Sequence, residues 1–268
     1  MLKDITLGQY FPGTSVIHRL DPRTKLLALI LYIVSLFLSS NVLSYALCIA
    51  FLLTVLFLSR IQPKLVLKSL KPVVFIVILT AVLNMLYTPG DVLWSIAFIK
   101  ITKQGIRTAI YMALRITLLI TSATMLTYTT SPISLTDAIE NLLSPLKKVK
   151  VPVHEFAMMM TIALRFIPTL IEETGKIMSA QKARGADFES GSLFARAKAL
   201  VPVLVPLFIS AFRRADELAV AMECRLYHGG HGRTRLHQLK YTKLDLLGGL
   251  LAILVCAGII VLGRVSPV

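Results

Sequence analysis

Two short segments of the chain carry the same arrangement, an arginine flanked by small or apolar residues: Ala183-Arg184-Gly185 and Cys224-Arg225-Leu226. A guanidinium stays charged when desolvated, and its planar fork grips a carboxylate at two points, so a pair of such arginines suits binding to acidic groups of a partner. Each segment also closes a long stretch of helical periodicity. There a cation complements the helix dipole, and Gly185 fits the left-handed residue that ends a helix. On the residues alone, cap and docking site fit equally well, and the two roles are compatible.

Other arrangements fail the chemistry they suggest. Gly175-Lys176 lacks the earlier glycine and the following hydroxyl residue of a phosphate-cradling loop. His154-Glu155 begins like a zinc-protease helix, but Met158 stands where the second ligand belongs. His228, His231 and His237 lie in a Gly-rich segment without a carboxylate or thiolate at ligand spacing, which reads as solvated loop. Ser, His and Asp occur singly with no nucleophile elbow, and Cys48, Cys224 and Cys256 show no paired spacing. The expectation is a chain without catalytic residues, metal or cofactor.

The elements that carry these residues are membrane elements. The chain is 56% hydrophobic and only 16% charged over 268 residues, with mean hydropathy +0.75, well beyond soluble composition. Apolar runs at 26–40, 45–59, 72–87, 106–130 and 246–263 predict about five transmembrane helices. The net charge of +15 rests on 29 Lys and Arg against 14 Asp and Glu. These cations cluster at the ends of apolar runs and in one later stretch with no nucleic-acid motif, which excludes a nucleic-acid binder and fits a cytoplasmic face. Arg60, Lys64, Lys68 and Lys71 mark one cytoplasmic loop, and the mixed first 25 residues are expected to stay in the cytoplasm. Val92–Ile101, with Trp94 and Phe98, reads as an interfacial segment. Arg115, inside the fourth span, needs a partner or a route to the interface.

Ser131 to Lys243 holds 16 of the 29 cations. A short helix is expected from Leu135 to about Leu146, with Thr136-Asp137 near its start, and two long ones over His154–Arg184 and Leu193–Arg225. Pro202 and Pro206 are expected to bend the second. About 30 residues make a rod of roughly 45 Å, apolar in its first half and polar in its second. This suggests a hairpin with its apolar part near or within the membrane and a charged end in the cytoplasm. Counting Phe156–Ile171 and Val201–Phe212 as a fifth and sixth span is the alternative topology.

Four blocks then match a known family. Ser15-Val16-Ile17-His18-Arg19-Leu20-Asp21-Pro22-Arg23-Thr24-Lys25-Leu26, Ala163-Leu164-Arg165-Phe166-Ile167-Pro168, Gln181-Lys182-Ala183-Arg184-Gly185-Ala186, and Arg214-Ala215-Asp216-Glu217-Leu218-Ala219 running on to Glu223-Cys224-Arg225-Leu226-Tyr227 occur in family order. Together they resemble the transmembrane T component, the EcfT family, of energy-coupling factor importers. The resemblance implies an all-α, L-shaped integral membrane protein. Its parts are a cytoplasmic N-terminal segment (1–25), a bundle of about four spans (26–130), coupling helices (131–243) and a C-terminal transmembrane helix (244–268).

The resemblance also implies a non-catalytic role. The chain couples ATP hydrolysis in two ABC-type ATPase subunits to vitamin or metal uptake through a membrane-embedded substrate-binding S component. Ala183, Arg184, Gly185, Cys224, Arg225 and Leu226 are the implied ATPase docking residues, the second triplet departing from the commoner Ala-Arg-Gly. Met158, Met159 and Met160, flexible and polarizable, with Phe208 are candidate S-component contacts, although ordinary membrane-facing filler also explains the methionines. The rival reading is a basic membrane anchor or channel-like protein bound to anionic lipid.

Overall fold

The computed structural model describes residues 10–96, 99–188, 190, 192–229 and 238–265. It forms two compact units, Gly8–Ala138 together with Leu239–Val268, and Ile139–Gln238.

In the first unit the chain runs through α1 (Val16–Arg19), α2 (Pro22–Leu38), α3 (Val42–Ser59), α4 (Pro63–Leu70) and, after a 3-10 turn at Lys71–Val73, α5 (Val74–Tyr87). Strands β1 (Val92–Ile96) and β2 (Ile99–Thr102) lead into α6 (Lys103–Thr129) and α7 (Pro132–Leu143), and α10 (Lys243–Val265) returns to this unit. α10 packs on α2 and α3, α6 on α2 and α3, and α5 on α6. Tyr32, Leu36, Tyr45, Cys48, Leu52, Leu118, Cys256 and Ile259 form the core, so two of the three cysteines serve as small hydrophobes.

Lipid tails are as apolar as leucine, so helix association here depends on close packing and interhelical hydrogen bonds. Tyr32 Oη donates to the Cys48 carbonyl (3.2 Å) and Ser44 Oγ to that of Ile259 (3.3 Å). The α2–α3 turn caps α10: Ser40 Oγ donates to Gly263 O and Asn41 Nδ2 to Leu262 O, both at 3.0 Å. These are the carbonyls a helix end leaves without partners. Outward, Phe57 is 84% and Phe75 73% exposed, a surface that only lipid accommodates.

Among the described residues six helices are long and apolar enough to cross a membrane: α3, α4 through α5, α6, α8 (Val153–Ala183), α9 (Leu193–Cys224) and α10. α2, at 17 residues, is one shorter than α3. The all-α membrane fold stands, with three local corrections. The segment around Lys64 and Lys68 is helix α4, started by Pro63 in the position where a missing N–H costs nothing. Val92–Ile96 and Ile99–Thr102 form an antiparallel two-stranded ribbon in which Trp94 pairs with Ile101, while Phe98 lies outside the described residues. α7 begins at Pro132, capped by Ser131 Oγ, which accepts from Ser134 N (3.2 Å), ahead of Thr136-Asp137.

The first family block is a clasp. Asp21 caps α2 and accepts from Arg23 N (2.9 Å), with Pro22 at the first helical position. Arg23 Nη2 bonds Asp21 Oδ2 and the Leu239 carbonyl, each at 2.9 Å, while its guanidinium lies 4.0 Å from the Tyr241 ring centroid. Lys25 Nζ reaches Thr129 O (2.9 Å) and Thr130 Oγ1 (3.3 Å), placing a cation at the C-terminal end of α6. Asp245 accepts from the backbone N–H of Asp21 and from both N–H and hydroxyl of Thr242. His18 is tied to Phe11 O (3.0 Å) and Ser15 Oγ (2.6 Å). Burial holds its imidazole below the ordinary value, partly opposed by the bond to Phe11 and assisted by the nearby Lys25 charge.

In the second unit a 3-10 turn (Ser144–Val149) precedes α8 (Val153–Ala183) and α9 (Leu193–Cys224). The two helices are antiparallel. Arg214 Nη2 bonds Glu173 Oε2 (2.7 Å), Ser210 donates to the other oxygen of the same carboxylate, and Gln181 meets Pro202.

Candidate functional site

Both long helices end in the same turn. At the end of α8, Ala186 N–H donates to Gln181 O and Gly185 N–H to Lys182 O, both at 3.0 Å, with Gly185 at φ +88°. At the end of α9, Tyr227 N–H donates to Met222 O (3.0 Å) and Leu226 N–H to Glu223 O (2.8 Å), with Leu226 at φ +54°. This paired 6→1 and 5→2 pattern is a Schellman motif. Glycine adopts its left-handed residue freely. In a leucine the same backbone crowds Cβ against the following carbonyl, at about 1 kcal/mol. The second triplet therefore keeps the turn without its glycine, and it holds an apolar side chain out at 74% exposure.

Ala183, Arg184, Gly185, Cys224, Arg225 and Leu226 are all exposed. Among the described residues neither guanidinium has a hydrogen bond or ion pair within the chain, whereas Arg214 and Arg23 do. The tips are not neighbours. Because α8 and α9 are antiparallel, Arg184 and Arg225 lie at opposite ends of the hairpin, roughly 40 Å apart at ~1.5 Å per residue. The expected common charged end does not exist: the polar half of each helix lies beside the apolar half of the other. Met158, Met159 and Met160 sit near the Arg225 end. Phe208 lies near mid-hairpin, ~24 Å further along by the same rise, so the structure does not bring these four together.

Several positioning groups are invisible to periodicity. Pro206 has no N–H and so frees the carbonyl of Pro202, four residues earlier; Gln181 Nε2 of α8 donates to that carbonyl (3.4 Å). His154 Nδ1 bonds Glu140 Oε1 (3.0 Å), and its Nε2 faces Tyr227 Oη (3.3 Å), tying the residue after the second tip to the start of α8. His154 is thus a structural bridge. His228 Nδ1 lies 3.0 Å from Leu226 O, while His231 and His237 fall outside the described residues. No group of His, Cys, Asp and Glu with metal-holding geometry occurs among the described residues.

Residues 13–236 match the family model of CbiQ, described as cobalt transport protein. The chain is 56% identical over 250 residues, 93% of both sequences, to a protein of Acidaminococcus fermentans, and 56% identical over 247 residues, 92% of both, to one of Ruminiclostridium cellulolyticum. A Bacillus subtilis protein is 52% identical over 246 residues, covering 91% of this chain and 93% of its own. All three are named energy-coupling factor transporter transmembrane protein EcfT. The chain belongs to the CbiQ/EcfT family. In this EcfT-family chain the four sequence blocks divide by role: the first is the clasp at the start of α2, the second carries Pro168 inside α8, and the last two supply the Gln181 and Arg214 ties and both Schellman ends.

Proposed function

We propose that the chain is the coupling subunit of an energy-coupling factor importer, joining two ABC-type ATPase subunits to a substrate-binding S component for vitamin or metal uptake. It supplies no catalytic group; ATP chemistry belongs to the partner chains. The observation that carries this reading is the pair of exposed arginines, unpaired among the described residues, on matching Schellman ends at opposite ends of one hairpin. That spacing suits one tip per ATPase.

The antiparallel arrangement also bears on the membrane. A hairpin crossing the bilayer would put Arg184 and Arg225 on opposite sides, where one cytoplasmic motor could not use both. α8 and α9 therefore lie along the cytoplasmic surface, each apolar stripe toward lipid or partner, although both are long and apolar enough to span. The bundle of α2, α3, α5, α6 and α10 crosses the membrane, with the N-terminus cytoplasmic. ATP-driven motion of the two ATPases moves the tips, and the hairpin passes that motion to the S component, each partner holding its contact differently in the two states. Met158, Met159, Met160 and Phe208 are candidate S-component contacts at separate points along the hairpin.

The test is uptake by the reconstituted complex carrying Arg184→Ala and Arg225→Ala together. Uptake is expected to fall to background with the chain still folded; full uptake by the double variant refutes the assignment. Ionic strength separates this from a basic lipid anchor: attraction to anionic lipid fades broadly with salt, whereas docking depends on two particular side chains.

A further inference from the structure

Helices α3 and α10 are tied directly at one end of the bundle and through α1 at the other. At the α2–α3 turn, Ser44 and Asn41 bond the Ile259 and Leu262 carbonyls, and Gly258 lets Leu47 come within 3.6 Å of where a Cβ would stand. Towards the clasp α1 bridges the pair: it packs on α3, and its C-cap residue Leu20 meets Gly248 of α10, 3.4 Å from the place of a Cβ. Behind α1 lies a cavity of about 230 Å³. It runs ~12 Å along the bundle, from Thr24 and Leu244 to a floor at Tyr32, Phe51 and Ala252, at ~1.5 Å per residue.

The walls of this cavity present hydrocarbon. Their polar side chains are already engaged: Tyr32 donates to Cys48 O, Thr54 to Ala50 O, Ser122 to Leu119 O, Thr129 to Met125 O, and Lys25 to Thr129 O and Thr130 Oγ1. Thr24 turns its methyl toward Gly249. A polar solute entering would give up water without gaining hydrogen bonds, which excludes a passage for charged or hydrogen-bonding cargo. Apolar cavities of even ~150 Å³ stay dry and take up apolar ligands. The mouth lies between α3 and α10, where Thr54, Leu58 and Leu251 are exposed and Leu247 is 64% exposed, continuous with the lipid-facing surface. The hydrocarbon that meets such a mouth in a bilayer is an acyl chain. At its clasp end Arg19 precedes Leu20 and Lys243 precedes Leu244; both cations are exposed and unpaired among the described residues, whereas Asp21 and Asp245 are committed to the clasp. We propose that the cavity holds one acyl chain of an anionic phospholipid, with its phosphate at the rim beside Arg19 and Lys243. The site is independent of the hairpin tips and of the transport reading.

Photo-labelling of the full chain tests it, in liposomes of equal parts phosphatidylglycerol and phosphatidylcholine, each lipid in turn carrying a mid-chain diazirine. Phosphatidylglycerol is expected to label Phe51, Ser122 and Met125 inside the bundle as well as outward residues such as Phe75. Ala28→Phe, which fills the cavity, and Thr54→Trp, which covers its mouth from an exposed position, are each expected to cut the inner labelling about tenfold while Phe75 labels as before. Thr54→Trp decides the matter if Ala28→Phe does not fold. Arg19→Gln with Lys243→Gln is expected to lower inner labelling by phosphatidylglycerol several-fold, to the level given by phosphatidylcholine. Inner residues unlabelled in wild type, or labelled equally in wild type and both cavity variants, overturn the site. Equal inner labelling by the two lipids in wild type overturns the headgroup assignment. Inner labelling in liposomes that vanishes in membranes of the source cell gives the cavity to a partner protein and overturns lipid occupancy.

Discussion

Reversing both tip charges, Arg184→Glu with Arg225→Glu, is expected to release the ATPase subunits from the membrane complex. A desolvated arginine facing carboxylates contributes about 3 kcal/mol, roughly a hundredfold in affinity, and a glutamate adds like-charge repulsion. Sites this far apart do not couple through direct contact, so the two losses are expected to add to about ten-thousand-fold in the double variant. Each single variant keeps the other tip and, with it, a high effective concentration of the partner. Co-purification of the ATPases with a tagged chain measures this: partial retention in either single variant and none in the double. Full retention in the double variant removes the docking role. Because both arginines are exposed, the chain itself is expected to stay folded.

Asp245→Ala is expected to be the most damaging single change to the bundle. Asp245 is 3% exposed, and its carboxylate accepts from Asp21 N–H, Thr242 N–H and the Thr242 hydroxyl. Removing it strands the buried Asp21 N–H at the junction of α2 and α10 and undoes the Thr242 cap, at about 2 kcal/mol. It also loosens the turn that lets Arg23 reach Leu239. The unfolding midpoint in detergent measures the loss, and Asp245→Asn, which keeps one acceptor oxygen, is expected to fall between. An unchanged midpoint in Asp245→Ala would show that the clasp contributes nothing to stability.

How much of this was legible in the chain differs by scale. Hydropathy located the spans at 45–59 and 106–130 to within a few residues, because every lipid-facing position must be apolar. Helix periodicity located α8 and α9, and Gly185 marked an end. The left-handed Leu226 was not legible, since leucine carries no preference for that backbone and the turn is imposed by the Schellman hydrogen bonds. Periodicity reports which residues share a face, not which ends of two helices meet. Thus the two arginine tips read as a pair, although antiparallel packing separates them. Contacts between residues distant in sequence, such as Gln181 to Pro202 or His154 to Tyr227, carry no local signal. The strand character of β1 and β2 is not legible, because a short apolar run with an aromatic fits strand and helix alike.

Both hairpin tips are expected to face the same, cytoplasmic compartment. Cys224 is exposed at one tip, while Cys48 and Cys256 are buried in the bundle, so the chain already carries one reporter. Ala183→Cys with Cys224→Ser supplies the other and leaves both arginines intact. Labelling by a membrane-impermeant maleimide in inside-out and right-side-out vesicles is expected to modify both positions only in the inside-out preparation. Modification of the two positions from opposite faces would mean that the hairpin spans the bilayer, and would contradict the account.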